Sequence, residues 1–509
     1  MRVVFVLFDT LSRRALEAYG GASAIPTPNF NRLARRAMRF DRHYVGSLPC
    51  IPARREMLTG RHNFLHRSWG PVEPFDKCFT DLLAKAGGTY SHLVTDHCHY
   101  WEDGGATYHT RYNSFEFVRG QENDFWQGVV EPDLEDWKRR YHPIQNDGRP
   151  GSKFRRNLSN REMLQSAADY PVARTFELGL KFLERNHAAD NWLLQIETFD
   201  PHEPFEAPPE MREGFPTNYS GPVLDYPAYG VSGMNPDEAS ELRANYAATL
   251  THCDRQLGRL LDAFDAQNLW KDTALILSTD HGFLLGERDL WGKLIVPVYQ
   301  EIAHIPLFIY HPDHASRGGE ARQALTQTID LMPTILDMFG VAPPSEVQGH
   351  SLLPLLARDG EVRRAALYGQ HGSAINITDG RYTYFRYPRD IHGGHLNQYT
   401  LMPTHIMSLF GVEELREAEL HPPFDFTQGV PVLRIPSTEK SAVYVRHGAG
   451  AQLPALTKTV LYDTEADPGQ EHPIGDAEVE RRLVAEMVAI MRAHDAPQEL
   501  YQRFHLENA

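Results

Sequence analysis

Ala274-Leu275-Ile276-Leu277-Ser278-Thr279-Asp280-His281-Gly282 is the stretch that decides how this chain folds. Four consecutive apolar residues with no polar alternate describe a strand buried on both faces, as in parallel sheets covered by helices. The run ends in a polar turn at Asp280. Moving outward, the pattern recurs: Arg2-Val3-Val4-Phe5-Val6-Leu7-Phe8 stops at Asp9, Leu93-Val94 precedes Asp96, and Trp192 to Thr198 leads into Asp200-Pro201-His202. Helical patterns separate these runs. Thr27-Pro28 opens one with Phe30, Leu33, Ala34, Ala37 and Met38 on a single face; Thr80 caps another, carrying Leu82, Leu83 and Ala86, that Gly87-Gly88 ends. Longer helices are predicted over residues 172–186 and 238–266. The sum is an α/β fold with a central, mainly parallel sheet sandwiched by helices. Ligands bind such sheets at the carboxyl ends of the strands, which singles out Asp9, Asp96, His202 and Asp280.

Beyond a helix predicted over Asp330 to Phe339, with Pro333 in its first turn, Pro343-Pro344 marks the approach to a boundary. The expectation is a catalytic domain over residues 1–360 and a smaller α+β unit over 361–509. The latter carries short strands at Tyr382 to Tyr387 and Val460 to Tyr462 and a last helix near Ala477 to His494, giving a small antiparallel sheet plus helix.

Composition narrows the function. Apolar residues are 41% and charged residues 23% of the 509, ordinary for a compact globular protein. Lys plus Arg is 51 against 67 for Asp plus Glu, a net charge of -16, which argues against a nucleic-acid partner and requires a local basic pocket for any anionic substrate. No apolar run reaches membrane-spanning length, and the first strand stops at Asp9 without a signal-cleavage pattern, so the expectation is no membrane and a cytoplasmic location. Cys50, Cys78, Cys98 and Cys253 are too sparse for a disulfide framework, which leaves a reduced thiol free for chemistry.

Cys50-Ile51-Pro52-Ala53-Arg54-Arg55-Glu56-Met57-Leu58-Thr59-Gly60-Arg61 resembles the signature of the formylglycine-dependent sulfatases, in which Pro two residues on and Arg two further mark the cysteine for oxidation. The likeness runs from Arg2 to Leu461-Tyr462-Asp463-Thr464-Glu465-Ala466-Asp467-Pro468 and implies the alkaline phosphatase-like fold. It further implies that a formylglycine-generating enzyme converts Cys50 to an aldehyde. One hydroxyl of the aldehyde hydrate attacks the sulfur of a sulfate ester, and the second releases sulfate from the covalent enzyme. A divalent ion, Ca²⁺, Mn²⁺ or Mg²⁺, activates the hydroxyl. The resemblance assigns Asp9, Asp280, His281 and residue 50 as its ligands. Arg54 is expected to turn inward beside residue 50.

By the same resemblance His202 contacts the leaving group or an ester oxygen, and Lys293, thirteen residues after Asp280, binds the sulfate. His97 and His99 occupy the spacing of a Lys-Trp-His element, so His99 is assigned as base and His97 as a substrate contact. A three-histidine metal site that includes His92 is disfavoured because alternation along a strand mixes the faces. Two departures stand out: Thr10 follows Asp9 where most arylsulfatases have a second acid, and His281 stands where many have Asn. Thr10 is carried as a substrate-binding candidate. Both departures are shared with phosphonate monoester hydrolases of the same family.

The function implied is hydrolysis of an aryl or carbohydrate sulfate ester by a sulfuric ester hydrolase, with phosphonate monoester or phosphodiester hydrolysis as the alternative. A member that binds anions without oxidising Cys50 is the non-enzyme alternative, and self-association is left open. Aromatics from Tyr100 to Trp126 suggest either a recognition insertion for a sugar or aryl group or a loop packed on itself. Arg61, His62, His66 and Arg67 read as a basic cluster that attracts anions or as a solvated helix face.

Overall fold

The computed structural model describes residues 1–20, 25–391, 396–437 and 456–507. Its large sheet is built from β1 (Arg2–Phe8), β2 (Met38–Tyr44), β3 (Tyr90–Thr95), β4 (Ser114–Phe117), β5 (Trp192–Thr198), β6 (Thr273–Thr279), β7 (Leu307–Tyr310) and β8 (Ala321–Gln327). Their spatial order is β8-β2-β7-β6-β1-β5-β3-β4. All neighbours are parallel except that β7 runs against both β2 and β6. The α/β expectation holds, and β1 lies near the middle.

Both faces of β1 are buried, which is why it reads as an unbroken apolar run. Val4, Val6 and Phe8 enter a core shared with α4 (Pro171–Arg185) and α5 (Pro236–Ala266). Val3, Phe5 and Leu7 enter another, shared with α2 (Cys50–Thr59), α3 (Phe79–Gly87) and α6 (Leu331–Met338). Asn235 and Glu238 form a reciprocal cap at the start of α5.

Two local expectations are corrected. The helix after Thr27, α1 (Pro28–Arg36), ends before Ala37, and Met38 opens β2 instead. Met38-Arg39-Phe40-Asp41 alternates apolar and polar residues, and that period-2 pattern wins over continuation of the helix. Thr80 is not a cap: α3 starts at Phe79 after Cys78, and the buried Thr80 hydroxyl has no hydrogen-bond partner.

The C-terminal strands β9 (Ala366–Gln370), β10 (Ile375–Thr378), β11 (Tyr382–Arg386) and β12 (Val460–Asp463) pair antiparallel, and α7 (Ala477–Ala493) packs on them. The two-residue strand Ser47–Leu48 adds to β9 in parallel, Ser47 facing Gly369 and Leu48 facing Gln370. This ties the smaller sheet to the chain just before Cys50. Among the described residues no helix is long and apolar enough to cross a membrane.

Candidate active site

Register brings the first acids together. Phe8 pairs with Thr198 on one side and Thr279 on the other, so Asp9 and Asp280 leave adjacent strands side by side. Cys50 comes to the same place as the first residue of α2. One ligand-type atom from each of Asp9, Cys50, Asp280 and His281 lies within 4.8 Å of the others, all in buried side chains. His281 Nδ1 is engaged by the Gly282 carbonyl at 2.9 Å, and burial pushes the ring pKa down to about 4. The neutral ring therefore carries its proton on Nδ1 and turns the Nε2 lone pair toward Cys50 Sγ (3.3 Å) and Asp280 Oδ2 (3.4 Å).

Burial, and then the neighbouring Asp280, push the Asp9 carboxyl up to about 8. Its Oδ2 is buried without a hydrogen bond, although Arg54 Nη2 stands 3.0 Å away. Burial opposes ionisation of Asp280 too, yet His281 and Arg54 hold it below the usual carboxylate range. Burial and Asp9 push the Cys50 thiol well up. Two crowded carboxylates, an imidazole lone pair and an unbonded carboxylate oxygen are the features of a cation site, and these residues fit a divalent ion.

Arg54 does turn inward, beneath residue 50. Nε donates to Glu197 (2.7 Å), Nη1 to Asp280 (2.7 Å) and to the Cys50 carbonyl (3.0 Å). Its donors are committed to the framework, and it does not line the cavity above. Glu197 is a partner that was not singled out from the sequence. Tyr100 Oη and Gln195 Nε2 hold its carboxylate. A lone acid within a buried apolar strand is the sequence signal for it.

A cavity of about 760 Å³ opens above Cys50, within the usual size of small-molecule sites. His99, His202 and Lys293 line it beside Cys50. Lys293 Nζ donates to Thr10 Oγ1 (3.2 Å) and lies 3.6 Å from Glu203 Oε2 and 3.9 Å from Asp9 Oδ1. Burial alone would lower its pKa, but Cys50, Glu203 and Asp9 outweigh burial and keep it cationic. Burial and Lys293 drive the His202 ring well below its ordinary pKa, so it is neutral; Nδ1 meets the Glu203 carbonyl. Burial alone would lower His99, yet Glu102, 2.7 Å from Nδ1, outweighs it and raises the pKa. Glu102 and Glu203 were not singled out from sequence, though each lies within three residues of a histidine that was.

Two assigned residues lie away from the cavity lining, and His92, disfavoured as a ligand, is elsewhere too. Thr10 and His97 are buried and do not line the cavity. Thr10, at φ 63°, donates its hydroxyl to Asp9 and its N–H to Asp280, so it braces the acids. His97 packs against His99 and Phe199, with both ring nitrogens unpartnered. His92 bonds Ser114 Oγ (2.6 Å), stacks on Phe182 and takes no part.

The aromatics of Tyr100 to Trp126 mostly pack on the domain or face solvent. Tyr100, Tyr108 and Tyr112 are buried, Trp101 and Phe125 are exposed, and none lines the cavity. Its aromatic walls are Trp69, Phe154, Tyr226 and Tyr229.

The basic cluster is neither an open patch nor a solvated face. Arg67 is buried on Glu73 and Thr400, His62 on Glu56, Arg61 over the Phe426 ring, and His66 Nε2 meets the Asp495 carbonyl at 2.9 Å. Burial, then Arg61, push His66 down to about 3. Its contribution to stability is complete above pH 6.5 and is lost as pH falls toward 3, because there only the unfolded chain takes up the proton. The stability difference between the natural chain and a His66→Gln variant should therefore be constant above pH 6.5 and shrink by about 1.4 kcal/mol per pH unit below it, as read by urea unfolding from pH 7.5 to 4.5.

The family model described as Sulfatase matches residues 2–341, two thirds of the chain. The chain belongs to the sulfatase family. It is thus a hydrolase of the sulfuric ester class, on the alkaline phosphatase-like fold. A second model, N-sulphoglucosamine sulphohydrolase C-terminal, matches residues 286–414 of this sulfatase. The multifunctional alkaline phosphatase superfamily protein PehA of Trinickia caryophylli is 26% identical over 67% of this chain and 73% of its own length. The N-acetylglucosamine-6-O-sulfatase of Bacteroides thetaiotaomicron is 24% identical over 72% and 73%. The crystal structure of the phosphonate monoester hydrolase of Agrobacterium radiobacter superposes with a TM-score of 0.65 at 19% identity, covering 98% of this chain and 97% of the other.

Proposed function

We propose that this chain hydrolyses a sulfate monoester of a carbohydrate or aryl alcohol, using residue 50 after its oxidation to formylglycine. The observation that carries the reading is the convergence of Asp9, Cys50, Asp280 and His281 at the base of a cavity that also presents His99, His202 and Lys293. As formylglycine hydrate, residue 50 supplies the nucleophilic hydroxyl and a second hydroxyl through which sulfate is released. Asp9, Asp280, His281 and residue 50 are the proposed ligands of a divalent ion, Mn²⁺, Ca²⁺ or Mg²⁺, which when bound lowers the pKa of that hydroxyl.

The remaining roles follow from charge and position. Lys293, cationic and beside residue 50, binds the ester oxygens and offsets the charge that develops on them. His99, oriented by Glu102, takes the proton of the hydrate. His202 hydrogen-bonds the leaving oxygen through Nε2. Arg54 and Thr10 hold the two acids in place, and His97 packs His99 rather than touching substrate. Trp69, Phe154, Tyr226 and Tyr229 suit the flat face of a sugar or aryl ring.

Glu122 and Glu203 in the walls favour a singly charged head group over a phosphomonoester dianion. That also admits a second reading, phosphonate monoester or phosphodiester hydrolysis, which Thr10 after Asp9, His281, and the name of the Trinickia relative favour. Assay of nitrophenyl sulfate beside nitrophenyl phenylphosphonate and bis-nitrophenyl phosphate separates the two. The proposal predicts the highest kcat/KM on the sulfate; phosphoester turnover that exceeds it makes the second reading the correct one. Chelation should abolish turnover and lower the unfolding midpoint, and a divalent ion at 100 times its Kd should restore about 2.7 kcal/mol of stability.

A further inference from the structure

Next to the residue 50 cluster, the described residues hold another set able to bind a cation. Cys98, His99 and Glu122 each offer one ligand atom, and these atoms lie within 4.8 Å of one another. All three side chains are buried, yet His99 and Glu122 line the substrate cavity, so an ion has an entry path. The charge around Cys98 is one-sided. Glu122, Glu102, Asp124 and Asp96 all act on its thiol. Only Asp124 has an arginine partner, Arg119, while Glu122 Oε1 is held by the neutral Tyr226 hydroxyl at 3.0 Å. A cation placed there would be stabilised by Glu122 and Glu102.

We propose that Cys98, His99 and Glu122 form a second metal site, taking Zn²⁺ or a similarly soft divalent ion, and that its occupancy switches the hydrolase off. Sulfur, imidazole and carboxylate donors together are a zinc set, whereas Asp9 and Asp280 offer harder oxygens. Binding forms a Cys98 Sγ–Zn bond, breaks the S–H bond and releases one proton to solvent, with no change of oxidation state. Coordination through His99 Nδ1 displaces Glu102, and coordination through Nε2 removes the lone pair that accepts the hydrate's proton. In both cases the base is lost. The inhibition rests on the role proposed for His99; the metal site does not.

The test is titration of a Cys50→Ala variant with Cd²⁺, since that substitution removes the thiol of the other ligand group. A sulfur-to-metal charge-transfer band with release of one proton is expected, and it should vanish in Cys50→Ala/Cys98→Ser. In Cys50→Ala/Glu122→Gln, which keeps the thiol, Cd²⁺ affinity should fall about tenfold. On otherwise natural enzyme Cys98→Ser should leave basal turnover intact and raise the inhibitory Zn²⁺ concentration at least about tenfold. No band in Cys50→Ala, or one that survives loss of Cys98, overturns the site. A band that follows Cys98 without inhibition by Zn²⁺ overturns the switch and leaves hydrolysis itself intact.

Discussion

Cys50→Ala should lose turnover by a factor on the order of 10⁵ on every ester the enzyme accepts, with little change in its unfolding midpoint. The side chain is buried at the cavity floor, 3.3 Å from His281 Nε2 and 3.9 Å from Asp9 Oδ1, and neither group can supply a nucleophile in its place. Alanine fills less space but keeps the backbone of α2, where the Pro49 carbonyl accepts from Ala53 and the Cys50 carbonyl from Arg54. Cys50→Ser is the sharper probe. Serine offers one hydroxyl and no second one to release sulfate, so the proposed mechanism allows at most one equivalent of nitrophenol per active site, measured as a burst. Sustained turnover by the serine variant would show that release does not need the second hydroxyl.

Arg54→Met should destabilise the chain by about 3–5 kcal/mol, because the guanidinium is the common partner of Asp9, Glu197 and Asp280, and its removal strands all three carboxylates in a buried site. The variant can recover only by protonating them. Asp9 already titrates at about 8, and without the guanidinium Asp280 loses a group that holds it low; the stability of the protonated forms is present at low pH and lost as pH rises. The deficit is therefore smaller at pH 5 than at pH 8. A divalent ion should narrow it at pH 8 by taking over the charge of Asp9 and Asp280. Urea unfolding at both pH values, with and without Mn²⁺, reads this directly; a deficit independent of pH and of metal would make Arg54 a packing residue only.

The fold was legible where burial is two-sided. β1 and β6 carry apolar runs, Val3 to Phe8 and Ala274 to Leu277, because helices cover both faces, and the acids that follow them mark the carboxyl edge; β5 shares that burial but is interrupted by Gln195 and Glu197. β2 was hidden because Met38 continues the helical spacing of Phe30 and Leu33, while the alternation from Met38 to Asp41, together with pairing to β7 and β8, decides for the strand. At the site, Asp9, Cys50, Asp280, His281, His202 and Lys293 were found through motif and resemblance, and they do meet. What local sequence could not show is which charges pair. Arg61, His62, His66 and Arg67 look like a patch, yet Arg61 and His66 are covered by Phe426 and Asp495 from far along the chain, and His62 and Arg67 turn onto the nearby Glu56 and Glu73. Glu197, the buried partner of Arg54, was concealed in the same way.

The most direct test of this mechanism is peptide mass spectrometry across Cys50 on enzyme produced with a formylglycine-generating enzyme, paired with the specific activity of the same preparation. The mechanism predicts that the peptide has lost its sulfur and gained an aldehyde, and that activity rises in proportion to the aldehyde fraction. Full activity in protein whose Cys50 remains an unmodified thiol would contradict it.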